Sequence, residues 1–174
     1  LSPQDRALFG KLMRVGLESA WALVVAEGYP VCFINELTPL KPDHRMVGRA
    51  RTIRYLPNRK DLRAKIYAAG PQLNYKSAEE AQPGDVLVID HGGRESLACW
   101  GELTSLAAKQ RGCVGVIVDG AVANLAEING HGLPTFARGV AALGGRRLSH
   151  RGGVNVSVKC GGHSHSGKST CDGG

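Results

Sequence analysis

Two uninterrupted apolar runs organise the chain. Val86-Leu87-Val88-Ile89 and Val114-Gly115-Val116-Ile117-Val118 show no polar alternation, which is the pattern of strands covered on both faces. Between them Leu103, Leu106, Ala107 and Gln110 recur at helical spacing, predicting a helix over 101–111 that Gly112 closes. A strand–helix–strand unit of this kind is expected to form a parallel pair joined by a right-handed crossover. Upstream, the pattern predicts a helix over 5–27, weakened by Gly10 and Gly16, and a loop over 28–42 with three prolines. A strand over 47–56 ends at Pro57-Asn58, and a helix over 61–69 precedes Gly70-Pro71. Pro83-Gly84-Asp85 reads as a turn and Asp90-His91-Gly92-Gly93 as a loop. Beyond the Asp119-Gly120 turn come a short helix over 122–128, a strand over 133–137 and another over 154–158. The expected architecture is α/β, a central sheet flanked by helices, in one domain over 1–160. Residues 161–174, rich in Gly, Ser and His, read as a flexible tail.

Composition narrows the class. The 174 residues suit one domain, and 43% hydrophobic with only 5% aromatic residues makes the core one of Val, Leu, Ile and Ala. No apolar run approaches the roughly 20 residues that span a bilayer. The opening Leu1-Ser2-Pro3-Gln4-Asp5-Arg6 lacks the basic-then-apolar layout of a signal peptide. Five cysteines at irregular spacing cannot all pair within one chain, and Cys32, Cys99 and Cys113 read as small core residues. A reducing, cytoplasmic setting without disulfides is therefore expected. The net charge is +7, with an excess at Lys41, Arg45, Arg49, Arg51, Arg54, Arg59, Lys60, Arg63 and Lys65. Such a patch attracts RNA, an acidic protein or an anionic metabolite, but no aromatic-studded RNA motif accompanies it. Arg49, Arg51, Ile53 and Tyr55 would share one strand face and Arg54 the other, so a solvated strand face is the preferred reading over a nucleic-acid surface.

Ligands in open α/β sheets bind beyond the carboxyl ends of the strands. Two such ends are rich in polar groups: Asp90-His91-Gly92-Gly93-Arg94-Glu95, leading to the helix start at Gly101, and Asp119-Gly120, leading to Asn124. Free amides at a helix start bind a carboxylate or phosphate. Gly101 lets a ligand approach the backbone closely, and Glu102 offers a base or a metal ligand. Each residue also has a plain structural reading. Glu102 complements the helix dipole, a contribution of roughly 0.3–1 kcal/mol; Asp119-Gly120 is a turn; Asn124 is a polar helix face.

Several segments together resemble one family: Gly84-Asp85-Val86-Leu87-Val88-Ile89-Asp90, the Gly92-Gly93 pair, Trp100-Gly101-Glu102-Leu103, Gly115-Val116-Ile117-Val118-Asp119-Gly120-Ala121-Val122 and Pro134-Thr135-Phe136-Ala137-Arg138-Gly139. That family is the RraA-like one, which holds the regulator of ribonuclease E activity and the 4-hydroxy-4-methyl-2-oxoglutarate aldolases. The resemblance covers about 20–158 and implies a swivelling β/β/α domain, a trimer or a dimer of trimers, with sites at subunit interfaces. For the aldolase branch it implies a divalent metal, Mg2+ or Mn2+, acting as Lewis acid in carbon–carbon cleavage or oxaloacetate decarboxylation that yields pyruvate. By the same resemblance, Gly101, Glu102, Leu103 and Thr104 hold the substrate carboxylate, and Glu102 organises metal-bound water as the catalytic residue. Ala123 occupies a substrate-binding position and Asn124 the metal-ligand position.

The aldolases carry Arg-Asp where this chain has Ala123-Asn124. Loss of the Arg removes an oxyanion donor, worth about 2.7–4 kcal/mol. Loss of the Asp leaves a neutral oxygen where hard cations prefer a carboxylate. The regulator branch also lacks the Asp, so the alternative expectation is a non-catalytic regulator acting through protein partners. The family normally continues with another Pro-Gly-Asp strand segment and an acidic residue that reaches a neighbour's site, whereas here the sequence runs into Cys160-Gly161-Gly162-His163-Ser164-His165-Ser166, so that either the sequence is cut short or that final part is missing.

Four further signals carry less. Residues 162–169 fit a phosphate-loop spacing ending in Gly167-Lys168-Ser169, but no helix can follow in the five residues that remain. Cys160, His163, His165 and Cys171 match no common zinc spacing. His91 beside a glycine pair is a loop histidine before it is a base. Arg94 and Arg138 are the nearest substitutes for the missing Arg.

Overall fold

The computed structural model describes residues 1–29, 33–57, 61, 73–144 and 149–165. Helices α1 (Pro3–Leu12) and α2 (Leu17–Ala26) open the chain. They replace the single helix expected over 5–27, because Gly16 adopts an extended conformation and caps a second helix instead of continuing the first. Ser2 and Asp5 form a reciprocal capping box that fixes the start of α1. Arg45 Nη2 donates to the carbonyls of Leu12 and Val15 beyond its end.

The remaining elements are β1 (Thr38–Pro39), β2 (Arg49–Pro57), α3 (Leu73–Glu79), β3 (Asp85–Trp100), α4 (Glu102–Gln110), β4 (Gly115–Val122), α5 (Leu125–His131), β5 (Thr135–Val140), β6 (Ser149–Val154), β7 (Val158–Cys160) and β8 (His163–His165). Six strands form one sheet in the order β1-β5-β4-β3-β2-β6. Strands β2 to β5 run parallel, while β1 and β6 are antiparallel edges. The expected parallel pair is thus β3–β4, in register from Val86↔Gly115 to Asp90↔Asp119.

The unbroken apolar run of β3 alternates between two cores. Leu87 and Ile89 join Val116, Val118, Ala108 and Ile128 beneath the helices. Val86 and Val88 join Val158, Cys160 and the partly buried Ile34, Leu37 and Met46 on the opposite face. Both faces are covered, which is why polar alternation is missing from the sequence.

Four element expectations change. Residues 90–93 are part of β3 rather than a loop, with Gly92 and Gly93 both at φ 70 in a stretch where the ladder to β4 shifts register. The helix expected over 122–128 starts later, because β4 runs on to Val122 and Asn124, at φ 57, turns the chain into α5. No strand spans 154–158: β6 ends at Val154, Asn155 takes φ 54, and β7 begins at Val158. Helix α3, directly after the expected Gly70-Pro71 break, was not anticipated. The helix expected over 61–69 lies, apart from Asp61, outside the described residues. The β7–β8 hairpin carries strand pairing to His165, past the boundary set at Gly161, and residues 166–174, with the phosphate-loop ending and Cys171, lie outside the description.

Three of the five described cations of the basic segment pair with carboxylates in place. Arg51 is buried and pairs with Glu80 at 2.9 Å. Arg54 lies 3.7 Å from Asp90, and Arg49 lies 3.5 Å from Asp5 and 4.0 Å from Asp85. Arg59, Lys60, Arg63 and Lys65 lie outside the described residues. No described helix is long and apolar enough to cross a membrane.

Candidate functional site

The carboxyl ends of β3 and β4 deliver two backbones to one place. Trp100 is buried, and its indole Nε1 donates to Ser105 Oγ at 2.7 Å, locking the first turn of α4 onto the end of β3. Gly101 is the N-cap of α4 and has no side chain with which to cap it. Thr104 closes the turn instead: its Oγ accepts from Gly101 N at 3.2 Å and donates to Gly101 O at 2.9 Å. The amides of Glu102, Leu103 and Thr104 therefore begin a nine-residue helix without a capping side chain, the arrangement that attracts an anion.

Ala123 N donates to Trp100 O at 2.9 Å, so the end of β4 lies directly against this helix start. A Cβ placed on Gly101 would come 3.3 Å from Asn124 Oδ1 and 4.0 Å from the Ala123 Cβ. The structure thus brings Gly101, Ala123 and Asn124 together, as the sequence reading required. Asn124 holds a left-handed conformation, sparsely populated for a non-glycine residue, and its side chain makes no capping bond to α5. Glu102 is half-buried at the first helical position and forms no hydrogen bond or ion pair with a described residue. Leu103 is 62% exposed and contributes only its backbone to the turn.

A second polar cluster lies earlier along the same strands, and sequence reasoning missed its connectivity. Arg138 Nε donates to the buried Asp119, and its Nη2 lies 2.7 Å from Glu36. Burial opposes the Arg138 charge, but the hydrogen bonds to Asp119 and Glu36 outweigh that and raise its pKa. The guanidinium passes Gly93, where an added Cβ would meet Nε at 3.5 Å. Arg138 is therefore committed to two carboxylates, Asp119 and Glu36. The available signal was Asp119 and Arg138 on neighbouring strands. Asp90 is equally engaged: it accepts from Gly92 N and Lys159 N, both at 3.0 Å, beside Arg54.

His91 is a buried strand residue, not a loop base. Its ring packs edge-on to Tyr55 with centroids 5.4 Å apart, and burial, then the Arg94 charge, push its pKa down to about 4. A Cβ on Gly120 would meet the His91 ring at 3.0 Å, so this glycine is required by close approach. Burial holds the Cys99 and Cys160 thiols at about 12 and raises that of Cys113, which makes them inert core groups.

The donors offer little to a metal. No group of three His, Cys, Asp or Glu side chains placed to hold an ion occurs among the described residues. Asp90 and Asp119 are taken by cations and amides. Glu102 and the neutral Asn124 oxygen are what remain at the helix start. This set does not fit a firmly held hard cation, for which more oxygen ligands and carboxylate charge are needed.

Comparisons with known proteins agree with the fold. The family model described as RraA-like, Aldolase/RraA, matches residues 22–168. The chain belongs to the RraA-like family. A relative from Halalkalibacterium halodurans, named "Putative 4-hydroxy-4-methyl-2-oxoglutarate aldolase", is 32% identical over 129 residues, 74% of this chain and 55% of the relative. Protein DlpA of Legionella pneumophila is 30% identical over 115 residues, 66% of this chain and 18% of DlpA. The chain thus spans about half of the first relative and under a fifth of the second. Among solved structures, Streptomyces coelicolor RraAS2, described as an unusual member of the RNase ES inhibitor RraA protein family, superposes with a TM-score of 0.77. It is 26% identical, over 92% of this chain and 77% of that one.

Proposed function

We propose that the chain binds the carboxylate of a small 2-oxo acid at the start of α4 and acts on it as a weak carbon–carbon lyase that releases pyruvate. The observation that carries this reading is the helix start at Gly101, whose amides no side chain caps and beside which Asn124 lies. The amides of Glu102, Leu103 and Thr104 orient the carboxylate, and Gly101 admits it to backbone distance. The 2-oxo group then lies toward Ala123 and Asn124. Cleavage leaves an enolate whose oxyanion needs stabilisation, for which the amide Nδ2 of Asn124 is the neutral donor at hand once the turn amides hold the carboxylate. Glu102, without a protein partner among the described residues, is placed to take or return a proton.

The resemblance implies Mg2+ or Mn2+ as cofactor, but the donor set does not fit it, and no step is assigned to a metal. A charged donor at 123 and a carboxylate at 124 would strengthen the site, so turnover is expected to be low, by the 10²–10³ that one oxyanion donor contributes.

Pyruvate release from oxaloacetate and from 4-hydroxy-4-methyl-2-oxoglutarate, with Mg2+, with Mn2+ and with chelator, tests the lyase step against the background of metal alone. Thermal stabilisation by oxalate tests the binding step. Gly101→Ala should abolish that stabilisation while the fold is retained; equal stabilisation in both proteins would remove the site from α4.

A second reading is a regulator that works by protein binding. The neutral Asn124 and the similarity to RraAS2, described as an unusual member of the RNase ES inhibitor RraA protein family, favour it. Absence of turnover and of oxalate binding in folded protein selects it.

A further inference from the structure

The helix start at Gly101 offers amides to one carboxylate and no cation to a second. Three segments meet there. Trp100 pairs with Val122, and Val122 with Val140. Ala141 N donates to Val122 O at 2.9 Å, and Ala98 N donates to Leu143 O at 2.8 Å. The chain after β5 therefore crosses the ends of β4 and β3 beside Trp100 and Ala123. Among the described residues of these segments, 98–108, 120–128 and 139–144, none is Lys or Arg. Their charges are Glu102 and Glu127, each in the first turn of its helix. Arg138 is held by Asp119 and Glu36, and Arg94 stands level with Gly120 rather than Ala123. A second anionic group on the ligand would meet like charge and lose water without gaining a partner.

The surroundings are apolar instead. Leu103 and Leu125 lie in the first turns of α4 and α5, Val140 and Leu143 lie on the crossing segment, and all four are exposed. Exposed apolar side chains gathered in one place mark a contact surface. Resting on the lyase reading above, we propose that the site selects a 2-oxo monocarboxylic acid whose far half is a neutral alkyl group, and that Ala123, Leu103 and Leu125 set this preference. Each CH2 of that half that becomes buried adds up to about fourfold in affinity. In a 4-hydroxy-2-oxo acid of this class the hydroxyl gives up its proton as the C3–C4 bond breaks. A neutral aldehyde or ketone leaves, and the pyruvate enolate takes a proton at C3. The departing half carries no charge, so the missing cation is not needed to hold it.

Calorimetric titration with pyruvate, 4-methyl-2-oxopentanoate and 2-oxoglutarate tests the preference, because the last two differ chiefly in an alkyl against a carboxylate end. The expected result is binding of 4-methyl-2-oxopentanoate about tenfold tighter than 2-oxoglutarate. Ala123→Arg should reverse that ratio, and Leu125→Ser, at an exposed position, should lower it several-fold. A wild type that binds pyruvate but takes 2-oxoglutarate as tightly as the alkyl acid overturns this inference and leaves the lyase reading standing. A ratio unchanged in both variants overturns the assignment to these residues. Failure of all three ligands to bind folded protein removes the site at α4, and the inference with it.

Discussion

The β3–α4–β4 unit and the first 33 residues are both rich in apolar side chains, and they put them to opposite use. In the first, Leu87, Ile89, Trp100, Val116 and Val118 are buried, and residues 86–89 of β3 alternate between two cores. In the second, α1 and α2 contain no buried residue. What separates them is the presence of a complementary surface. The sheet offers the first unit a helix layer on one side and the β7–β8 hairpin on the other, while among the described residues α2 meets nothing comparable. Apolar content therefore shows that a segment needs to be covered, but not by what.

The contrast breaks most severely at Arg138. Arg138→Ala strands the buried Asp119 carboxylate between β4 and β5, at an expected cost of about 3–5 kcal/mol, readable as a fall in the urea midpoint. Next is pH. The folded His91 stays neutral down to about pH 4, whereas an unfolded histidine protonates near 6.5. The unfolded state binds the extra proton, so stability is full above pH 6.5 and declines toward pH 4, by up to about 3 kcal/mol. Denaturation at stepped pH should show that slope, and His91→Gln should flatten it. Gly120→Ala drives a methyl onto the His91 ring and the Arg94 carbonyl, both about 3 Å away, for a loss of about 1–3 kcal/mol. The smallest effect sharpens the comparison: Glu36, 61% exposed, links the amino-terminal segment to Arg138. Glu36→Ala should cost under about 1 kcal/mol in a thermal melt, showing that the early segment borrows little stability from the sheet.

The candidate site was legible to the extent that its elements are local. Gly101, Glu102 and Thr104 sit at a strand-to-helix boundary that the apolar pattern locates, and a glycine there points to close backbone approach. Their meeting with Ala123 and Asn124 followed from expecting a parallel pair. The Arg138–Asp119–Glu36 cluster was not legible, because Glu36 and Arg138 are 102 positions apart and only the β1–β5–β4 order places them side by side.

By itself the sequence determined the buried parallel strands, the helix between them and the position of the glycine turn that starts it, since apolar runs, helical spacing and glycines act over a few residues. Tertiary structure alone decided which charges are spent. Arg138 reads as a substitute for the site cation until Asp119 and Glu36 are seen around it, and His91 as a loop histidine until its burial in β3 is seen. In each case the physical reason is the same: charge, proton affinity and exposure are set by neighbours distant in the chain.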